Sequence, residues 1–185
     1  MKKIIPLVSI IALPMVALTA QANSGTITFA GKITASTCTV VVDGQGADAT
    51  ITLPTVSKDL LKADGDTAGK THFNIVMSKC TLGGTPADTK VSTYFEAGST
   101  VDVSTGFLIN SGSATKVALR LTDGTTNAAI KAGSESQTSN NTFATAAGAS
   151  GAATASLPYA VEYIASGAST AGTVASSVTY NIMYK

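Results

Sequence analysis

Few residues of this chain have the types and spacing that chemistry requires. The 185 residues include two cysteines, Cys38 and Cys80, and a single histidine, His72. His72 lies beside Phe73 with no recognisable nucleophile and acid around it, and the eleven acidic residues are scattered without an obvious pair. No cysteine lies near His72 at zinc-ligand spacing. We therefore predict no catalytic residue, no metal site and no cofactor.

The N-terminus has the pattern of a secretory signal peptide. Lys2 and Lys3 are followed by an apolar run from Ile4 to Leu18, and Ala20-Gln21-Ala22 supplies the small residues that a signal peptidase needs. A membrane anchor is the alternative, but the run is short for a span and contains two prolines. We predict that residues 1–22 are a signal peptide.

Export to an oxidising compartment favours a disulfide between the two cysteines over two free buried thiols. Cys38 and Cys80 are 42 positions apart. Closing a loop of that length should contribute roughly 3–4 kcal/mol in the chain-entropy model.

The composition favours packed strands over long helices. Charged residues make up 12% of the chain and hydrophobic residues 44%, and much of the apolar part is alanine and valine. The formal net charge is +1, and no basic cluster occurs beyond the first three residues. Nucleic-acid binding is therefore not expected.

Apolar residues alternate with polar ones along most of the chain, as in half-buried strands. A helical turn is predicted within Val56–Lys62 and a loop at Asp64–Gly69, while residues 132–156 have no clear pattern. The strands and the single disulfide predict an all-β, immunoglobulin-like sandwich. The predicted strands are Thr26–Ile33, Cys38–Val42, Ala49–Leu53, His72–Lys79, Lys90–Glu96, Gly106–Ile109, Lys116–Thr122, Leu157–Ile164 and Thr173–Tyr184.

The first predicted strand has a face too apolar to be left in water. An exposed terminus is expected to be mobile unless it is tied down. The segment is therefore either the first strand of its own sandwich or a strand that pairs with another sheet. Its face carries Ile27, Phe29, Gly31 and Ile33.

The last predicted strand alternates almost to the end of the chain. Gly172 is fourteenth from the end and Tyr184 is penultimate. The residues that share one face of this strand are Val174, Ser176, Val178, Tyr180, Ile182 and Tyr184.

Together with the signal peptide and the cysteine placement, these two termini resemble the pilins of the chaperone–usher pathway, and in particular type-1-like fimbrial major subunits. The resemblance covers essentially the whole chain. The stretches that carry it are T-I-T-F-A-G-K-I from Thr26, Leu53-Pro54-Thr55-Val56-Ser57, and Tyr94-Phe95-Glu96.

The resemblance implies an incomplete immunoglobulin-like sandwich, the pilin fold, whose groove is filled by a strand from another molecule. Residues 23–36 would be the donor-strand extension and residues 37–185 the pilin domain. Ile27, Phe29 and Ile33 would enter pockets in a neighbour's groove, with Gly31 where a side chain would collide with the pocket floor. The residues implied at the groove edge, which a chaperone would contact, are Gly172, Val174, Val178, Tyr180, Ile182 and Tyr184.

The resemblance also implies partners and a location. The partners would be identical or related pilin subunits, a periplasmic chaperone and an outer-membrane usher. The chain would be exported through the periplasm to a surface fimbria, as a structural major subunit that supports cell adhesion.

Three other interpretations make different predictions. A secreted enzyme would depend on His72. A monomeric secreted binding module would pair residues 23–33 within its own domain. A minor adaptor or anchor subunit of a fimbria would be scarce in sheared fibres, whereas a major subunit would be abundant.

Overall fold

The computed structural model describes residues 25–83 and 88–185. The predicted signal peptide lies outside the described residues. The chain divides into two compact units, Met1–Lys32 and Ile33–Lys185. In the first unit, residues 25–32 form neither helix nor strand. No helix in the described part of the chain is both long and apolar enough to cross a membrane.

The second unit is almost entirely β-structure. A 3₁₀ turn at Lys58–Leu60 and a short helix α1 at Gln137–Asn140 are its described helical segments. The strands are β1 Thr37–Val42, β2 Asp64–Thr81, β3 Lys90–Phe95, β4 Val101–Asp102, β5 Phe107–Ile109, β6 Val117–Asp123, β7 Ala129–Ile130, β8 Ala144–Thr145, β9 Ala153–Ser166 and β10 Tyr180–Tyr184.

These strands form two antiparallel sheets. The larger sheet has the order β1-β2-β9-β6-β5-β4, with β7 paired to β6, and the smaller sheet has the order β10-β3-β8. Strand β10 is thus an edge strand of the smaller sheet. Its register pairs Tyr180 with Phe95 and Tyr184 with Val91.

The core lies between the two sheets. Val91 and Phe95 of the smaller sheet pack with Phe73, Ile75 and Tyr159 of the larger one. The Phe95 and Tyr159 rings meet edge to face with centroids 5.2 Å apart, a favourable aromatic geometry. The fold class predicted from alternation, an all-β sandwich, is confirmed.

The predicted loop at Asp64–Gly69 is wrong, because these residues begin the long strand β2. Gly65 and Gly69 have φ values of +86° and +65°, and the β2–β9 register shifts between Asp64 and Thr67 and again between Ala68 and Thr71. The glycines therefore allow bulges within a strand rather than a turn between strands.

Three other strand predictions are wrong: two of the strands are absent and the third is shorter than predicted. Residues 25–33 and 49–53 belong to no strand, and of the last predicted strand only Tyr180–Tyr184 pairs in a ladder. Residues 25–33, 49–53 and 173–179 have the alternation of a strand, but no neighbouring strand of the described chain forms a ladder with them. In the other direction, β9 is longer than predicted and begins at Ala153.

Candidate functional site

A groove of about 420 Å³ opens into the core of the second unit. Its floor consists of side chains that are buried in the sandwich, and its two walls are an extended stretch near Ile51 and the stretch that leads into β10. A groove of this kind brings core side chains to the surface. Its floor includes Phe73, Ile75, Phe95, Leu119, Leu121 and Val161.

One wall is the stretch at residues 173–179, which is hydrogen-bonded along one side only. The Ala175 carbonyl accepts from the Ser111 N–H at 2.8 Å, the Thr173 carbonyl from the Ala114 N–H at 3.0 Å, and the Thr179 carbonyl from the Glu96 N–H at 2.8 Å. All three acceptors are odd-numbered residues, as expected where successive backbone groups point to opposite edges of a strand.

The even-numbered residues of this wall point their backbone groups toward the opposite edge of the stretch. Val174, Ser176 and Val178 make no backbone hydrogen bond with any described residue. Their side chains are half-buried whereas the intervening residues are exposed, so that this face turns toward the core. The wall therefore offers a row of free N–H and C=O groups, which is the feature that invites an added strand.

The other wall is residues 47–53. The Gln45 side chain bonds both the N–H and the carbonyl of Thr50 at 3.1 Å, while Ile51 and Leu53 turn half-buried side chains toward the core. The Tyr180 hydroxyl donates to the Ala47 carbonyl at 2.8 Å and so ties the two walls together. Burial, and then the nearby Asp48 carboxylate, raise the pKa of Tyr180.

Ser176 is the polar exception on the inner face of its wall. Its Oγ atom is buried and has no hydrogen-bond partner among the described residues, and the residue lines the groove between Val174 and Val178. A buried hydroxyl without a hydrogen-bond partner is energetically unfavourable.

The apolar face predicted near the N-terminus is exposed. The side chains of Ile27 and Phe29 are 78% and 88% exposed, and that of Ile33 is completely exposed. A β-carbon added at Gly31 would have no neighbouring atom within 4 Å. Nothing among the described residues of this chain therefore requires a glycine at that position.

The predicted groove-edge residues all lie within residues 172–184, but their surroundings differ. Val178 and Tyr180 line the groove, whereas Val174, Ile182 and Tyr184 are half-buried against the core. Gly172 has a packing role, since an added β-carbon would lie 2.5 Å from the Ala114 backbone nitrogen.

The cysteines and the histidine are placed apart from the groove lining. Cys38 of β1 and Cys80 of β2 form the predicted disulfide. Tyr184 is adjacent, and burial raises its pKa although a hydrogen bond with the Cys38 backbone acts in the opposite direction. His72 is exposed on β2 opposite Ala160. In residues 25–83 and 88–185, no three His, Cys, Asp or Glu side chains are grouped to hold a metal ion.

The sequence pattern did not predict two features of the groove: the wall at residues 47–53 and the unpartnered hydroxyl of Ser176. The signal for the first was present, because Ala49–Leu53 alternates like a strand. The signal for the second was a serine at an inward position between two valines.

Comparison with known proteins agrees with this arrangement. The family model for type-1 fimbrial protein A, FimA, matches residues 53–185. The major fimbrial subunit SMF-1 of Stenotrophomonas maltophilia strain K279a is 45% identical over 172 residues, which is 90% of this chain and 96% of that protein. The F17 fimbrial protein of Escherichia coli is 34% identical over 167 residues, 89% of each chain.

The fold has relatives among solved structures. The crystal structure of the P pilus rod subunit PapA matches with a TM-score of 0.57 at 18% identity, over 80% of this chain and 99% of that one. At that identity the likeness concerns the fold. The family match and the two relatives confirm the resemblance seen in the sequence: this chain belongs to the type-1 fimbrial protein family.

Proposed function

We propose that this chain is a structural major subunit of a bacterial surface fimbria and that it polymerises by donor-strand exchange. In this reaction residues 23–36 of one copy enter the groove of the next copy. The observation that carries the proposal is the coexistence of an open groove with free backbone groups and an exposed, alternating apolar segment.

The length of the segment fits the length of the wall. Residues 27–33 and residues 174–180 each span six strand steps, which is about 20 Å at the rise of an extended chain. The free N–H and C=O groups of Val174, Ser176 and Val178 would pair with the incoming backbone. Alternate side chains of the incoming strand would then face the groove floor.

The energetics favour a tightly held strand. Burial of Ile27, Phe29 and Ile33, which are exposed in the single chain, would contribute on the order of 5–8 kcal/mol at about 1.5–3 kcal/mol each. Each added backbone hydrogen bond would contribute a net ~0.5–1.5 kcal/mol. Dissociation would require the whole strand to leave, so we expect the contact to be kinetically stable.

The contact would be head to tail and need not close on itself. The segment that enters a groove and the groove that receives it are different surfaces of one subunit, so each added copy leaves a new groove or a new segment free. Heterologous contacts of this type produce open filaments.

Before assembly, an open groove exposes apolar core side chains and orphan backbone groups to water. A periplasmic chaperone that lends a strand to the groove, and an outer-membrane usher that receives the complex, would supply what the isolated subunit lacks. The subunit is accordingly exported through the periplasm to the cell surface. Its role is structural, with no catalytic step, and it supports adhesion through the fibre.

A matched pair of charge substitutions tests the proposal. Phe29→Asp places a carboxylate on the face that would enter the groove, whereas Thr28→Asp places the same charge on the opposite face. We expect Phe29→Asp to abolish surface fibres and Thr28→Asp to retain them, as seen by electron microscopy and by the ladder of multimers in unheated denaturing gels. Abundant fibres from Phe29→Asp would contradict donor-strand exchange.

A further inference from the structure

The inner face of the groove wall contains one polar group whose position restricts how a strand can bind. Ser176 Oγ is buried in the single chain and lacks a hydrogen-bond partner among the described residues. Its flanking inward residues, Val174 and Val178, are apolar. A strand that fills the groove covers all three side chains.

The residue opposite Ser176 decides whether the hydroxyl finds a partner. If an isoleucine or phenylalanine side chain covered it, the hydroxyl would be enclosed in an apolar environment and would stay unsatisfied. Opposite a glycine, the hydroxyl faces bare peptide backbone, which it can reach directly or through one water molecule. The inward face of the proposed donor segment contains one glycine within its apolar residues, Gly31.

We propose that Ser176 sets the register of the incoming strand by lying opposite Gly31 and hydrogen bonding to the peptide backbone there. This inference rests on the proposed function. The register places Phe29 and Ile33 opposite the two flanking valines whether the strand runs parallel or antiparallel to the wall, because Gly31 and Ser176 are both central. A shift by two residues would cover the hydroxyl with Phe29 or Ile33.

The same register would give the missing side chain at position 31 a role. A β-carbon at this position meets nothing within 4 Å in the single chain, so only a partner could exclude one. In the proposed register that β-carbon would point at the Ser176 side chain. The two small residues are then complementary across the contact.

A double-mutant cycle tests the register. The probe is a fluorescent synthetic peptide of residues 24–35, bound to the refolded mature chain at high dilution, and the readout is its dissociation rate on addition of unlabelled peptide. We expect Ser176→Ala to speed dissociation of the natural peptide about 2- to 10-fold, through loss of one hydrogen bond. A peptide with Gly31→Ala should dissociate at least about 10-fold faster from the natural chain and regain slow dissociation on Ser176→Gly.

Val178→Ala is the matched control, because it also enlarges the wall but does not face position 31 in this register. It should fail to rescue the Gly31→Ala peptide. Rescue by Val178→Ala, or equal dissociation of the natural peptide from Ser176→Ala and the natural chain, would overturn the register while leaving donor-strand exchange intact. A natural peptide that does not bind at all would overturn the proposed function itself.

Cysteine cross-linking gives a second measurement that does not depend on binding rates. Directly opposed positions bring β-carbons within about 4.5–5.5 Å, close enough for a disulfide. A Phe29→Cys peptide should cross-link to Val174→Cys or to Val178→Cys, according to strand direction, and not to Ser176→Cys. Cross-linking to Ser176→Cys instead would show that the register is wrong.

Discussion

At the scale of single residues, buried hydroxyls mark two different situations in this molecule. Ser176 Oγ is buried without a hydrogen-bond partner in the described chain. The Tyr159 hydroxyl is buried in the closed core near Phe73 and Phe95. Burial raises the pKa of this hydroxyl, and Thr93 and Ser92, which lie within hydrogen-bonding reach, oppose that rise. Ser176 lies on an open groove, where an added strand can supply the partner.

Tyr159 predicts a loss of stability at alkaline pH. Burial raises the pKa of Tyr159, so the folded-state pKa exceeds that of the unfolded chain. The stabilisation by the neutral phenol is complete below about pH 10, the unfolded pKa, and is lost as pH rises through the folded pKa. Tyr159→Phe should change stability little at neutral pH and should reduce the loss at high pH.

Urea unfolding of both proteins near neutrality and near pH 11 measures this effect. The other tyrosines with raised pKa, Tyr163, Tyr180 and Tyr184, remain in both proteins and provide the background slope. Identical pH dependence in the two proteins would show that Tyr159 is not the source.

At the scale of elements, the stretch before β10 resembles an edge strand, because it is hydrogen-bonded along one edge only. Side chains and loop backbone hold it from one side: the Thr100 hydroxyl donates to the Ser177 carbonyl at 2.7 Å, and the Ser111 hydroxyl to the Ala175 carbonyl at 3.0 Å. Gly172 allows the loop to approach the start of this stretch closely. The wall is thus fixed by its own chain while its groove side stays open.

Gly172→Ala should therefore destabilise the subunit. The new methyl group would lie 2.5 Å from the Ala114 nitrogen, a backbone atom that cannot turn aside as a flexible side chain can. Overpacking of this type costs about 1–3 kcal/mol. Gly98→Ala is the control, because nothing lies within 4 Å of its added β-carbon.

The midpoints of urea unfolding compare the two variants. A midpoint for Gly172→Ala as high as that for Gly98→Ala would mean that the loop around Ala114 moves freely, and that the wall is not fixed as described.

At the scale of the whole molecule, the proposed function requires both halves of a repeating contact in one chain. The second unit supplies a groove whose floor is its own core, and the N-terminal segment supplies exposed apolar side chains at matching spacing. In the proposed assembly, the domain must persist until a chaperone strand or a neighbour's segment fills its groove. The disulfide between β1 and β2 contributes to this persistence.

Removal of the disulfide should destabilise the subunit. The bond closes a loop of 42 positions, so Cys38→Ala with Cys80→Ala should lower the free energy of unfolding by roughly 3–4 kcal/mol. Urea unfolding of the subunit measures this loss, with the natural protein under reducing conditions as a second comparison. Unchanged stability would show that the disulfide does not stabilise this fold by restricting the unfolded chain.

The family, the all-β class and the disulfide could be predicted from the sequence alone, because they follow from residue types and local pattern. Alternation correctly predicted which residues in the range 174–184 face inward. In the structure, half-buried and exposed residues alternate as predicted as far as Ile182. Alternation also suggested a strand at Ala49–Leu53, whose side chains do alternate.

Which alternating segments have strand partners depends on the tertiary structure. Residues 49–53 and 174–178 read as strands, yet they flank a groove, because strand pairing depends on a neighbour that is distant in sequence. The glycines at 65 and 69 read as a loop, yet they lie in bulges of β2, because the long strand β9 holds both sides of each bulge. The unpartnered hydroxyl of Ser176 was visible only once the groove around it had been formed by residues from both sheets.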